Sequence, residues 1–89
     1  MNQIIVLGKV ESINKEKKEF VLAVPRSYSE YNGEMKSDTI LCTHFNNINK
    51  NMTTYINIED SIIIKGRLEE KDNKHYIKVE SYKVLKRKI

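Results

Sequence analysis

The sequence holds one cysteine, one proline, three glycines and no tryptophan. A lone Cys42 excludes an intramolecular disulfide framework and leaves too few thiolates for a structural zinc site of the usual kind. No apolar run approaches the ~18–20 residues of a membrane span. The opening MNQIIVLGK lacks the basic lead of a secretory signal, so an intracellular, cytoplasmic location without a membrane partner is expected. Phosphate loop, nucleophile elbow and carboxylate dyad are all missing. His44 and His75 stand alone, outside any metal-ligand spacing. Cys42 and His44 share a face only through ordinary strand alternation. The chain therefore reads as a non-enzyme that needs neither metal nor cofactor.

What is present fits one small domain. The 89 residues are 39% hydrophobic and carry 16 Lys and Arg against 12 Asp and Glu. A chain of this length builds a single core with no room for a second domain or a deep cleft. Its net charge of +4 is concentrated at one end. Lys83, Lys86, Arg87 and Lys88 come without an acid among them, and the twelve remaining cations match the twelve acids. A basic excess favours an anionic partner, of which nucleic acid is the commonest, although a solubilising tail has the same composition.

No internal repeat or low-complexity segment is visible, and the few breakers mark the elements. Residues 3–13 alternate, with Ile4, Val6 and Val10 on one side and Ile5 and Leu7 on the other. A strand apolar on both faces belongs in a barrel, a sandwich or an oligomer interface. Gly8 inside it suggests a bulge or a corner. Residues 14–19 (NKEKKE) read as a turn. Residues 20–24 form a second strand with Phe20, Leu22 and Val24 on one face, ended or placed at an edge by Pro25. Residues 26–38 read as a long hairpin tip with Asn32-Gly33 as its turn. Residues 39–45 form a third strand, with Ile40, Cys42 and His44 opposite Leu41, Thr43 and Phe45. Ile48, Met52 and Tyr55 then recur at i, i+4, i+7, which predicts a short helix over 47–55 with Asn46 or Asn47 as its cap. Residues 61–68 give a fourth strand interrupted by Gly66. Asp72-Asn73 is a tight turn, and residues 75–85 give a fifth strand with Ile77 and Val79 inward. Five strands with a helix between the third and fourth is the order of the oligonucleotide/oligosaccharide-binding (OB) barrel. The expected fold is an all-β, five-stranded OB barrel forming one domain over 1–89, with residues 84–89 as a short basic end.

At these motifs the chain resembles the bacterial single-stranded-DNA-binding protein family. NQIIVLGKV is similar to that family's first strand, FVLAVPRSY to its second, YNGEMKSDTILCTHF to its long hairpin and third strand, and IEDSIIIKGRLEEK to its fourth. The resemblance runs in order along nearly the whole chain. It implies an OB-fold protein that binds single-stranded DNA without sequence preference, usually as an oligomer. It also implies base stacking on Tyr28 and Phe45, which match family aromatics by position. Several departures stand beside it. The first turn is short, Thr39 stands where Trp is frequent, Glu59-Asp60 stands where a basic residue often precedes the fourth strand, and EEKDNKH is a bare turn. The chain ends in KRKI rather than in an acidic partner-recruiting tail. A short primosomal replication protein of similar fold shares the last two features. A variant from a small genome or mobile element, or an accessory replication protein, is the expected context, associated with the nucleoid.

Sequence-tolerant binding of single strands needs cations along the phosphates and rings on which bases rest. Tyr28 and Tyr31 lie in a polar hairpin beside Arg26 and Lys36, where stacking on bases competes with cross-strand packing. Phe45 shares a face with Leu41. Tyr76 alternates with inward Ile77 and so points out. Phe20 belongs to the core, and Tyr55 packs its helix on the barrel. Lys9, Lys65, Arg67 and Lys78 are outward by alternation. The candidate nucleic-acid site is thus Tyr28, Tyr31, Phe45, Tyr76, Lys9, Arg26, Lys36, Lys65 and Arg67. Ile4, Ile5 and Leu7 form a candidate oligomer interface, because an apolar strand left unpaired is an edge hazard. A homo-oligomer, dimer or tetramer, is expected, with single-stranded DNA and replication proteins as partners. An adaptor of a primosome or plasmid-replication complex, touching DNA weakly, is the alternative; RNA binding through the same face ranks lower, because the cold-shock aromatic pattern is missing.

Overall fold

The computed structural model describes residues 2–29, 35–44 and 52–88, with side chains for all of these except 27–29 and 35. Five strands are present: β1 (Ile4–Asn14), β2 (Glu19–Ser29), β3 (Met35–His44), β4 (Ser61–Lys71) and β5 (Lys74–Lys86). They close into a barrel in the order β1-β2-β3-β5-β4. Every neighbour is antiparallel except β3 and β5, which run parallel from Leu41↔Tyr76 to His44↔Val79. Inward residues of all five strands meet in one core. Val10, Phe20, Leu22, Cys42, Ile62, Ile64, Ile77 and Val79 are fully buried there, as period-2 alternation requires. Met52 and Ile56, from the segment between β3 and β4, are buried in the same cluster.

Local chemistry sets the corners. Asp72 and Asn73 both take positive φ, 54° and 62°. That is the two-residue type I′ geometry, and it lets β4 and β5 pair down to Lys71↔Lys74. At the other short turn, the Asn14 side chain accepts the Lys17 amide at 3.0 Å. A Cβ at Gly8 would lie 2.6 Å from the Ala23 carbonyl oxygen, and one at Gly66 would lie 2.2 Å from that of Lys78. Both glycines therefore let two backbones approach. Gly66 also sits at a register step between β4 and β5. Gly8 does not, and the irregularity in β1 falls between Val10 and Ser12.

Two expectations need correction. The helix over 47–55 is not found among the described residues, which hold only a 3-10 turn at Met52–Thr54; residues 47–51 lie outside them. Burial falls on Met52, Thr53 and Ile56 rather than on one helical stripe, and Tyr55 is 45% exposed. The propensities of Asn, Thr and Tyr were too weak to carry a helix against tertiary contacts. The hairpin tip is shorter than 26–38, because β2 runs on to Ser29 and β3 begins at Met35. Pro25 stays within the ladder opposite Ser37, and the register breaks after it; Asn32-Gly33 lies outside the described residues. The two halves of β1 have different partners. Ile4–Lys9 pairs with β4 and Lys9–Asn14 with β2.

The basic end is bonded to the barrel. Asp60 is fully buried, and its carboxylate accepts the Asn57 amide at 2.8 Å, the Lys88 amide at 3.2 Å and the Arg87 guanidinium at 2.8 Å. Arg87 also donates to the Tyr55 carbonyl at 2.7 Å. Burial pushes the Asp60 carboxyl up, but the Asn57 and Lys88 amides and Arg87 together hold it below the ordinary value. Beside it, Glu59 receives Lys88 Nζ at 2.6 Å, and that contact lowers its carboxyl as well. These bonds close the β4 end of the barrel and fix residues 87 and 88 against it.

Candidate nucleic-acid interface

The parallel β3–β5 pairing decides which outward residues meet. Across the outer wall one row runs Val21↔Leu41↔Tyr76↔Glu69, and the next runs Glu19↔Thr43↔Lys78↔Arg67. At one end of these rows the two short turns rise on either side. Lys17 from the first turn, Leu41 and Thr43 from β3, and Lys71, Lys74, His75 and Tyr76 from the β4–β5 hairpin enclose a shallow depression of about 550 Å³. Leu41 is 38% exposed at its centre. An apolar floor with ammonium groups at both rims suits a flat apolar ring carrying phosphate on either side.

Acid is present on the same wall. Glu19 and Asp72 border the depression. Glu69 ends the Tyr76 row and accepts the Tyr76 hydroxyl at 2.9 Å. Arg67 reaches the same carboxylate at 3.5 Å. The bond to Glu69 anchors the Tyr76 ring in one orientation on the wall and raises its phenol above the ordinary value. His75 is likewise held, with Nε2 3.2 Å from Glu70.

The nine residues expected to bind nucleic acid do not all converge. Tyr76 and Arg67 share the wall, with Lys78 beside Arg67 in its row. Arg26 sits at the hairpin base, where its guanidinium contacts Asp38 at 3.0 Å; such an exposed pair contributes about 0–1 kcal/mol. Lys36 is exposed two residues away on β3. Lys65 faces out opposite Ile5, and Lys9 faces out between Ala23 and Ser61. Tyr31 and Phe45 lie outside the described residues, as does the Tyr28 side chain. Of the candidate interface, Ile4 packs partly buried on the core, while Ile5 and Leu7 are 63% and 54% exposed. Sequence reasoning missed Lys17, Leu41, Lys71 and Lys74. The lysines flank turns that looked merely polar, and only the β3–β5 neighbourhood brings them to one ring. Inside the barrel, burial pushes the Cys42 thiol up to about 12, so it stays protonated and unreactive at neutral pH. Among the described residues no cluster of His, Cys, Asp and Glu is suited to a metal ion, and no helix is long and apolar enough to cross a membrane.

Solved structures of the same shape exist. The mitochondrial single-stranded DNA-binding protein Rim1 of S. cerevisiae superposes with a TM-score of 0.75 at 15% identity, covering 98% of this chain and 97% of its own. The small single-stranded DNA-binding protein of Streptomyces coelicolor gives 0.62 at 15% identity, covering 94% of each chain. This chain is an OB barrel. A chain of the S. pombe Stn1–Ten1 complex gives 0.66 at 11% identity, with this OB barrel spanning 59% of that chain. No protein-family model matches the sequence, and no curated protein does. At these identities the likeness is one of fold.

Proposed function

We propose that the chain binds single-stranded DNA without sequence preference, stacking unpaired bases on exposed rings and holding phosphates with Lys and Arg, in replication or recombination. The observation that carries this reading is the Leu41–Tyr76 floor rimmed by Lys17, Lys71 and Lys74, on a barrel whose whole-length neighbours are single-stranded DNA-binding proteins. Tyr76 supplies one platform, with Tyr28, Tyr31 and Phe45 as the further stacking residues of the proposal. Arg67 supplies charge on the same wall, and Arg26, Lys36 and Lys65 supply it elsewhere on the barrel. The chain works in the cytoplasm with DNA, without metal or cofactor, and not as an enzyme.

The active form is a homo-oligomer. Residues Ile4–Gly8 are paired on one edge only among the described residues, with β4. Ile5 and Leu7 leave large apolar side chains in water beside that edge, and a second copy covers both. A second reading, an adaptor in a replication complex, is favoured by Glu19, Glu69 and Asp72, which weaken the field of the wall.

Fluorescence anisotropy with labelled oligo-dT and with duplex, at ~50 and ~200 mM salt, separates the two. DNA binding predicts single-strand preference and a steep loss with salt. Tyr28→Ala and Tyr76→Ala each then weaken binding about 5- to 150-fold, the value of one base–aromatic stack. Feeble binding at physiological salt, unchanged by either substitution, refutes the proposal.

A further inference from the structure

A second cationic depression lies on the barrel away from the Leu41–Tyr76 floor. It has a volume of about 370 Å³ and is lined by Lys9, Glu59, Ser61, Lys86, Arg87 and Lys88. Its charges divide into two groups. Arg87 is committed to buried Asp60 and Lys88 to Glu59. Both nearby carboxylates are thereby occupied. Lys9 and Lys86 are exposed, and among the described residues neither forms an ion pair. Lys9 only adds its charge to the forces lowering Glu59. Two ammonium groups thus face a depression whose acids are already neutralised.

The register connects this place to the proposed binding wall. Outward residues run Thr39↔Ala23↔Lys9↔Ser61↔Lys86 across β3, β2, β1, β4 and β5. Strands are about 4.8 Å apart, so Lys9 and Lys86 stand roughly 10 Å apart along that row. The residues beside Lys9 in this row are Ala23 and Ser61, both small. The Asp60 lock fixes Arg87, and with it the direction in which Lys86 leaves the end of β5.

We propose that Lys9 and Lys86 form a second phosphodiester site, which takes the backbone of the same single strand after it passes off the β2–β3 wall and round β1. This rests on the DNA-binding reading above and adds a path to it. A strand long enough to reach Lys86 gains two phosphate contacts that a shorter one lacks.

The test is the salt dependence of binding for two lengths of oligo-dT, about 6 and about 20 nucleotides, one near the short end of the ~4–16-nucleotide footprint of an OB fold and one beyond its long end. Each phosphate neutralised on a single strand contributes about −0.7 to the slope of log K against log salt. The double variant Lys9→Gln/Lys86→Gln should flatten the slope by about 1.4 for the long strand and leave the short one unchanged. Lys71→Gln/Lys74→Gln should flatten it for both. Thermal unfolding confirms that each variant is folded, which the exposure of all four lysines favours. Equal slopes for the double variant and the unaltered chain on the long strand overturn the second site alone. Equal losses on both lengths overturn it too, because Lys9 and Lys86 then belong to the first site. Failure of the unaltered chain to bind any oligonucleotide overturns the DNA-binding reading and this site with it.

Discussion

Gly66→Ala tests the account of how the barrel closes. The new Cβ would lie 2.2 Å from the Lys78 carbonyl oxygen, 2.9 Å from its carbon and 3.0 Å from the Val79 Cα. All three are backbone atoms, so no side chain can swing away to make room. A carbon–oxygen contact is comfortable from about 3.3 Å, which obliges β4 and β5 to part by roughly 1 Å. Ladder bonds near ~2.9 Å then stretch beyond hydrogen-bond range, and two of them cost about 1 kcal/mol each. Residual strain from overpacking adds about 1–3 kcal/mol. Against this, losing glycine stiffens the unfolded chain by about 0.4–1 kcal/mol. The expected net loss is about 3 kcal/mol, a large share of the stability of a small domain. It lowers the melting temperature by roughly 12–24 °C. Urea unfolding followed by circular dichroism measures it, with Ser81→Ala on the outer face of the same ladder as a control expected within about 0.5 kcal/mol. If Gly66→Ala unfolds within ~0.5 kcal/mol of the unaltered chain, the two strands do not approach as described and the argument fails.

Other outcomes follow from single contacts. Asp60→Asn should destabilise the fold by about 2–4 kcal/mol at neutral pH, because the amide turns a donor toward Arg87 or an amide N–H in a buried place. The Asp60 carboxyl is lowered in the fold, so its stabilising effect is complete above the unfolded carboxyl value of about 3.9. It is lost as pH falls through the folded value. Asp60→Asn should therefore flatten the stability–pH curve on the acid side; an unchanged curve contradicts the lock. Cys42 should resist alkylation by a thiol reagent at pH 8 in the folded chain and react once urea unfolds it. Rapid labelling without denaturant contradicts its burial. Replacing Asn73 by Val puts a β-branched residue at positive φ and should cost about 1–2 kcal/mol in the same urea assay, whereas Asn73→Gly should be close to neutral.

The sequence was most legible where burial alternates. Phe20, Leu22, Cys42, Ile77 and Val79 pointed inward as their spacing required, because a period of two leaves no other way to bury them. The Asp72-Asn73 turn was legible because few residues tolerate two successive positive φ values. Residues 52–60 were not, for a physical reason. They are held by distant partners: Val10 bonds Glu59 and Asp60, and Arg87 and Lys88 meet Tyr55 and Asp60 from about 30 positions away. No local pattern encodes such a capture, and the spacing of Met52 and Tyr55 pointed to a helix where the described residues hold a 3-10 turn. For the same reason the basic end looked like a tail. The site was half legible. Alternation placed Tyr76 and Arg67 outside, but the depression beside Tyr76 exists only because β3 and β5 lie parallel, and a one-dimensional reading does not juxtapose Lys17 with Lys74.

The parallel β3–β5 seam also has a meaning for biosynthesis. Four of the five staves are translated before the one that joins them, since β5 must slot between β3 and β4. Until residues 74–88 leave the ribosome, β3 presents a raw edge and the interior stays open to water. Such an intermediate is adhesive, and its long-range closure is slow compared with a local hairpin. The last stave arrives already hairpinned to β4 through Asp72 and Asn73, so it is delivered to its slot rather than left to search for it.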